Sequence, residues 1–236
     1  LAAALAAHGK KVLAVDMDAQ ANLTRAWGVP HDGKSVLDVL RSKTTWQDIA
    51  VPVEKGAGCV LLAPASRQLA AMPEVFAQEI GKELLLKEAL ETVQATFDVA
   101  IIDSPPLLGV LMVNALAACQ QLVIPVQTEF LAVKGLERMV STLQMINRSR
   151  KQALPYTIVP TLFDRRTQAS MSTLRVLRNT YPEHLWPAYI PVDTRLRDAS
   201  RAGQTPSQFD AKSRGVIAYR ALLKHLLSQQ GVTQVA

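Results

Sequence analysis

Apolar runs with the length and composition of buried strands constrain the fold of this chain more than any other feature. The runs lie at residues 11–16, 59–63, 97–103, 122–126, 156–159 and 188–190. Most are continuous rather than alternating, which is typical of strands covered on both faces of a parallel sheet. Helical patterns separate them at residues 1–8, 21–27, 35–41, 79–95, 109–118, 129–147, 167–180 and 213–227. This order predicts an α/β protein with a doubly wound, mostly parallel sheet and helices on both faces.

The composition predicts one globular domain over residues 1–236. Hydrophobic residues make up 49% of the chain and charged residues 19%, and no repeat, linker or low-complexity tract divides it. Cys59 and Cys119 lack CxxC spacing, so we expect a reduced, cytoplasmic protein without disulfides or a cysteine metal site. No apolar run reaches the roughly 18 residues of a membrane span. The chain opens inside a helical pattern, so we expect the natural amino terminus to lie before Leu1.

Two acidic residues follow the first strand. Asp16 and Asp18 are two positions apart, so on an extended chain their side chains share a face. Ligands of open α/β sheets bind outside the carboxyl ends of the strands, which is where this pair is expected. The alternative is that one acid caps the turn while the other is only solvated.

A further acid closes another apolar strand. Asp103 follows residues 99–102 and precedes a rigid turn, Ser104-Pro105-Pro106. Enzymes that bind nucleotide phosphates commonly hold Mg²⁺ at such a strand-end carboxylate, often through water. However, the phosphate-binding pattern G-x-x-x-x-G-K-[ST] occurs nowhere in the 236 residues.

Positive charge is concentrated in the second half of the chain. Residues 134–224 contain sixteen Lys or Arg against six Asp or Glu, whereas the remainder contains ten against fourteen. This asymmetry predicts a basic surface suited to nucleic acid, although a merely soluble surface is the alternative. The candidates are Arg175, Arg178, Arg195, Arg197, Arg201, Lys212 and Arg214. Some of them could instead pair with Asp198 or Asp210.

Several segments together resemble the ParA/MinD family of deviant Walker A ATPases, especially its Soj/ParA chromosome-partitioning and ParC polar-positioning branch. The segments are Leu1 to Thr24, Phe97 to Pro106, Val123 to Phe130, Lys134 to Leu136, Val159 to Arg165, Ile190 to Ala199 and Lys212 to Gly215. They cover nearly the whole chain in order. Ala19 and Ser104 depart from the family, which usually has Pro and often has Cys at these positions. The resemblance implies that the first strand and the P-loop precede Leu1, and that residues 1–236 alone are inactive.

The resemblance also implies roles for individual residues. Asp18 matches the catalytic carboxylate that positions the attacking water, and Asp103 matches the acid that holds Mg²⁺ through water. The resemblance places Asp16 among the cofactor-binding residues, where it shapes the end of the strand. The family encloses the adenine of ATP with residues that match Thr161, Leu162, Phe163, Pro191, Val192 and Asp193.

The implied function is an ATP-dependent switch that partitions or positions DNA or a polar cargo. The family resemblance implies a homodimer that binds DNA without sequence preference in its ATP state, at the nucleoid or a cell pole. Slow hydrolysis would be stimulated by a ParB-like or other partner protein. The alternatives are a non-hydrolysing scaffold of the same fold and a MinD-like membrane-positioning ATPase. Residues 217–227 favour packing on the sheet over a membrane role.

Overall fold

The computed structural model describes residues 1–30, 33–71, 84–105, 109–150 and 152–229. The chain divides into two compact units. The first comprises residues 1–119 and 195–211, and the second comprises residues 120–194 and 212–229. Because each unit is compact by itself, the single domain over residues 1–236 stays a prediction.

The first unit contains a four-stranded sheet. Its elements up to residue 119 are α1 (Ala2–Ala7), β1 (Lys11–Asp16), α2 (Asn22–Ala26), α3 (Val36–Leu40), α4 (Trp46–Ile49), β2 (Val51–Lys55), β3 (Cys59–Ala63), α5 (Leu85–Glu91), β4 (Val99–Asp103) and α6 (Val110–Ala118). The strand order is β2-β3-β1-β4. β1 pairs in parallel with both β3 and β4, whereas β2 is antiparallel to β3. The mostly parallel α/β sheet predicted from sequence is therefore confirmed.

β1 is the central strand because its side chains are apolar on both faces. Residues 12–15 are at most 1% exposed, and the register aligns Val15 with Ala63 on one side and Ile102 on the other. Such burial on both faces is what removes a continuous apolar run from water. The strand ends of β1 and β4 consequently lie next to each other at one edge of the sheet.

Helices α3 to α6 contribute to the core around this sheet. Trp46 is 1% exposed and satisfies its indole N–H by donating to the carbonyl of Ala89, at 2.8 Å. Asn114, also buried, accepts a hydrogen bond from the backbone N–H of Leu86, at 3.2 Å. Because buried polar groups are costly without partners, these two bonds fix α5 against α4 and α6.

The second unit contains a two-stranded parallel sheet. Its elements are β5 (Leu122–Gln127), α7 (Phe130–Ser149), β6 (Tyr156–Thr161) and α8 (Gln168–Thr180). Next along the chain, α9 (Thr194–Arg201) and α10 (Pro206–Phe209) belong to the first unit, except for Thr194. The last helix, α11 (Arg214–Gln229), belongs to the second unit again. No helix of the described residues is both long and apolar enough to cross a membrane.

Two sequence predictions of local structure need correction, and one strand was not predicted. Residues 188–190 form no strand; only an isolated bridge joins Phe163 to Pro191. Prolines at 187 and 191 lack the N–H that a ladder needs, which explains the interruption. The helix predicted over 79–95 is observed as α5 alone, with 79–83 outside the described residues. The edge strand β2 was not predicted, because its run, VPVEK, contains a proline and two charges.

Candidate active site

The carboxyl ends of β1 and β4 bring the predicted acids together. Asp16 and Asp103 are direct partners in the parallel register. Beyond the last pair, the backbone N–H of Met17 donates to the carbonyl of Asp103, at 2.8 Å. The ladder therefore continues to the point where the chain leaves the sheet, and it places both strand-end acids at the same edge.

Asp16 is completely buried, and described backbone and side-chain groups donate to both of its carboxylate oxygens. Its Oδ2 accepts from the hydroxyl of Thr24, at 2.6 Å, and from the backbone N–H of Thr24, at 2.9 Å. Its Oδ1 accepts from the backbone N–H of Asp18, at 3.1 Å. Burial raises the pKa of Asp16, while these hydrogen bonds oppose that shift. The geometry gives Asp16 the task of holding the loop that carries Asp18; contact with a cofactor remains a prediction.

Asp18 lies half-buried in the loop between β1 and α2. Its Oδ1 accepts from the backbone N–H of Gln20, at 3.0 Å, and its carbonyl accepts from the N–H of Ala21, at 2.8 Å. Ala21 adopts φ 53°, a left-handed conformation that is unfavourable for a residue with a Cβ. Such local strain is often found at functional loops, where the surrounding structure maintains it.

The carboxyl group of Asp103 has a strongly raised pKa. Although the residue is exposed, loss of hydration around its carboxyl group and then the negative charges of Asp16 and Asp18 raise the pKa of Asp103 to about 6. Like charges disfavour the ionised form, and a cation would relieve that repulsion. The site thus has a negative potential at the strand end.

The acids do not form a complete metal cage. Among the described residues, no group of three or more His, Cys, Asp or Glu side chains is arranged to hold a metal ion. A single strand-end carboxylate fits Mg²⁺, which keeps several waters and is commonly bound by one or two carboxylates together with substrate phosphates. Asp103 is therefore chemically suited to that ion when phosphates supply the remaining ligands.

The residues predicted to surround adenine meet within the second unit. Phe163 follows β6 and pairs with Pro191 through an isolated bridge. The N–H of Phe163 donates to the carbonyl of Ile190, at 3.1 Å, and its carbonyl accepts from the N–H of Val192, at 3.0 Å. The structure therefore joins the two predicted segments, 161–163 and 191–193, although no strand forms at 188–190.

The side chains of these two segments have different environments. Leu162 is 49% exposed and has φ 52°, whereas Phe163 is buried and contacts the ring of Tyr189, with centroids 4.1 Å apart. Asp193 accepts from the N–H of Gly215 at the start of α11, at 2.7 Å. An exposed apolar side chain beside backbone carbonyls suits a planar, partly polar ligand. Binding of adenine by Thr161, Leu162, Phe163, Pro191, Val192 and Asp193 stays a prediction.

The candidate DNA-binding residues are exposed but belong to both units. Arg175, Arg178, Lys212 and Arg214 belong to the second unit, and Arg195, Arg197 and Arg201 belong to the first. Within the second unit, Arg175 and Arg178 lie three residues apart on α8. Within the first, an ion pair of 3.6 Å joins Arg195 to Asp210, one of the two acids expected to pair with these arginines.

A cavity in the first unit lies apart from the predicted site residues. It measures about 800 Å³ and is lined chiefly by polar and charged residues at 33–35, 38 and 66–68. None of the acids at the ends of β1 and β4 lines it. The candidate active site is therefore identified by the strand-end geometry rather than by this cavity.

Sequence reasoning alone missed Thr24 as a site residue. It is fully buried, donates to Asp16 and accepts from the backbone N–H of Ala65, at 3.1 Å. In the sequence Thr24 falls within a short predicted helix, where a hydroxyl has no distinguishing pattern. Only the fold shows that it links the Asp18 loop to the segment after β3.

Comparison with known proteins gives the relatives of this chain. The AAA domain family matches residues 1–156. Sporulation initiation inhibitor protein Soj of Bacillus subtilis (strain 168) is 31% identical, over 96% of this chain and 90% of that protein. Chromosome-partitioning ATPase Soj of Treponema pallidum is also 31% identical, over 98% and 90%.

Solved structures agree with these relatives. Cobyrinic acid a,c-diamide synthase from Mycobacterium smegmatis, with bound ATP analogue and magnesium, is 32% identical with a TM-score of 0.82, covering 99% of this chain and 88% of that one. The septum site-determining protein MinD from Pyrococcus horikoshii, complexed with Mg-ADP, is 19% identical with a TM-score of 0.76, covering 100% and 90%. The second likeness concerns the fold alone.

Fold and strand-end acids together define a nucleotide-binding protein of the P-loop NTPase type. With the matches to the AAA domain family and the Soj proteins, the chain belongs to the ParA/MinD family of partitioning and positioning ATPases. The family membership expected from the ordered motifs is confirmed.

Proposed function

We propose that the protein is an ATP-dependent dimerisation switch that partitions or positions DNA or a polar cargo. One observation carries this proposal: Asp16 and Asp103 are paired across adjacent parallel strands, with Asp18 in the loop that Asp16 holds. The names of relatives support the cellular role, since they include a chromosome-partitioning ATPase. Bound ATP analogue and magnesium in a 32% identical structure support ATP and Mg²⁺ as cofactors.

Each acid has a separate task in the proposed reaction. Asp103 helps hold Mg²⁺ through water, and Asp18 orients the water that attacks the γ-phosphorus. When bound, Mg²⁺ supplies charge that stabilises the transferring phosphoryl group. Asp16 keeps the Asp18 loop in position, because its buried carboxylate accepts the Asp18 N–H at 3.1 Å.

The second unit supplies the proposed contacts to the base. The segments 161–163 and 191–193 are joined by hydrogen bonds and a bridge, so they can present backbone groups and Leu162 to a purine.

DNA contact is proposed for the exposed basic residues. Arg175 and Arg178 carry the clearest placement, because both are exposed on α8 and close enough in sequence to face the same way. Phosphate contact by arginine is independent of base sequence and strongly salt-dependent. The ATP-bound homodimer would therefore bind the nucleoid without sequence preference, and a ParB-like or other partner would stimulate its slow hydrolysis.

Replacement of Asp18 tests the catalytic assignment. In the protein expressed from its complete reading frame, Asp18→Asn should lower ATP turnover by about 100-fold or more, since it removes a group that orients the nucleophile. ATP binding should change little, because Asp18 lies half-buried in its loop and Asn preserves its size. Release of inorganic phosphate measures turnover, and nucleotide binding is measured separately by fluorescence.

Asp98→Asn is the matched control for that experiment. Asp98 precedes β4 at the end opposite Asp103 and accepts from the backbone N–H of Lys11, a bond that Asn can also accept. Its turnover should equal that of the unmodified protein. Normal turnover in Asp18→Asn would refute the assignment, and absence of turnover in all three proteins would favour the non-hydrolysing scaffold.

Salt dependence tests the DNA contact. ATP-dependent DNA binding should weaken steeply as salt rises from low to physiological concentration. Arg175→Gln with Arg178→Gln should weaken binding further and should reduce the slope of log affinity against log salt concentration by about two, one for each phosphate contact removed. Fluorescence anisotropy with labelled duplexes of two unrelated sequences measures both effects. Affinity that ignores salt, or that differs greatly between the duplexes, would rule out the proposed mode.

A further inference from the structure

The 800 Å³ cavity of the first unit combines cationic side chains with an unsatisfied hydroxyl. Lys34 and Arg67 are both exposed and line it from separate segments of the chain. Within the described part of the chain, neither cation forms an ion pair within 4 Å. Both charges are therefore available to a ligand.

Ser66 adds a second, independent indication of a ligand. It is 9% exposed and lines the cavity, and its Oγ is buried without a hydrogen-bond partner among the described residues. A buried hydroxyl without a partner is unfavourable, and native proteins rarely retain one without a reason. Because this oxygen is shielded from solvent, a bound acceptor would satisfy it once the Ser66 side chain turns toward the cavity.

The wall that carries Ser66 and Arg67 is held in place before any ligand binds. Pro64 accepts a hydrogen bond from the N–H of Val36, at 3.0 Å, and the N–H of Ala65 donates to the hydroxyl of Thr24, at 3.1 Å. Preorganised donors lose less entropy on binding than mobile ones. The wall is thus a built surface rather than a loop that would need to order itself.

The acid that lines the cavity does not cancel its positive charge. Asp38 is committed to the start of α3, where its Oδ2 accepts from the N–H of Ser35, at 3.0 Å. Outside the cavity, hydrogen bonds from Thr45 and Thr44, and to a smaller extent the charge of Lys34, lower the pKa of Asp48. Formally, two cations and one carboxylate line the cavity, leaving it with one net positive charge.

We propose that this cavity is an anion site that takes a phosphate group, either free or as a small monoester. The possible donors to a phosphate are the ammonium of Lys34, the guanidinium of Arg67, the hydroxyl of Ser66 and the side-chain amide of Gln68. The acceptor oxygens of a phosphate point in several directions, so it can accept hydrogen bonds from donors on separate segments of the chain.

The test uses the 236-residue chain with two probes, inorganic phosphate and glycerol 3-phosphate, at constant ionic strength. Amide chemical shifts report where each probe binds. The proposal predicts saturable shifts at residues 33–38 and 66–68 with at least one probe, and the stronger probe identifies free phosphate or the monoester as the natural form. It does not depend on ATP turnover, so failure of the proposed function would leave the test intact.

Paired variants make the result specific to the cavity. Lys34→Gln with Arg67→Gln should weaken phosphate binding about tenfold or more, because two charge-assisted contacts are removed. Ser66→Ala should weaken it by about threefold or more. Arg138→Gln with Arg148→Gln removes the same charge from exposed residues of α7 and should leave the affinity within about twofold.

Three outcomes would overturn the proposal. The first is the absence of saturable shifts at residues 33–38 and 66–68. The second is equal affinity in the cavity variants and the unmodified chain. The third is an equal loss in the Arg138 and Arg148 control, which would indicate general attraction to basic surface only. Unchanged spectra elsewhere in each variant show that its fold is intact.

Discussion

Asp16, Asp18 and Asp103 show how one strand edge gives three carboxylates different properties. Asp16 is buried and bonded within the chain, Asp18 is half-buried in a strained loop, and Asp103 is exposed with a pKa raised to about 6. Carboxyl groups that differ in burial, hydrogen bonding or pKa in this way commonly have different chemical tasks. The asymmetry supports Asp16 for positioning and the other two for contact with the reaction.

Removal of the Asp103 charge should stabilise the protein when nucleotide and Mg²⁺ are absent. A raised folded-state pKa means that the native state binds the proton more tightly, so stability falls as pH rises from about 4 to about 6. Asp103→Asn should therefore raise the unfolding temperature by about 2 °C or more near pH 8, and by less near pH 4. Calorimetry at both pH values measures this difference.

The control for Asp103→Asn is Asp98→Asn, at the other end of the same strand. It should give no gain in unfolding temperature that depends on pH in this direction. A lower unfolding temperature for Asp103→Asn near pH 8 would contradict the electrostatic explanation. Loss of ATP turnover in the same variant would show that the carboxylate is kept for function at some cost in stability.

At the scale of elements, Thr24 connects three segments through one hydroxyl. It donates to Asp16 at the end of β1 and accepts from Ala65 after β3, while its own backbone lies in α2. Every member of this group is buried, so each bond forms in a region of low dielectric where an unpaired group is costly. The group fixes where the Asp18 loop begins and ends.

Thr24→Val should destabilise the first unit by about 1–3 kcal/mol, because it leaves the Ala65 N–H unsatisfied and removes the strongest bond to Asp16. The substitution keeps the shape of the side chain, so little of the loss comes from packing. Urea unfolding followed by circular dichroism measures it. Thr24→Ser retains the hydroxyl and should restore most of the stability; equal losses in the two variants would contradict the hydrogen-bond account.

The sequence predicted the elements whose own residues form a recognisable hydrophobic pattern. β1 and β4 are apolar runs that need only a sheet on either side, and the acids that close them follow directly. β2 could not be predicted, since a proline and two charges are tolerated only where an edge strand faces solvent. The partnership of Thr24 and Asp16 spans eight residues across a loop, and only the path of the chain reveals it.

At the scale of the whole molecule, the residues proposed to act in the switch are distributed over two units. The acids lie in the first unit, whereas the proposed base-contacting residues and Arg175 with Arg178 lie in the second. The family resemblance over nearly the full length predicted the strand-end acids and the base-contacting residues, whereas the composition by itself predicted only the positive charge. A switch of this kind requires that nucleotide bound at one place alter DNA binding at another, which is a coupling between sites.

The most direct test of the switch is the retention of the complete protein on surface-bound duplex DNA after nucleotide is washed away. The unmodified protein should bind with ATP, and not with ADP or without nucleotide, and should then dissociate at its rate of hydrolysis. Asp18→Asn should bind DNA with ATP and dissociate from it at least about tenfold more slowly, because it cannot leave the ATP state by hydrolysis. Equal retention in all three nucleotide conditions, or release of Asp18→Asn as fast as the unmodified protein, would contradict the account.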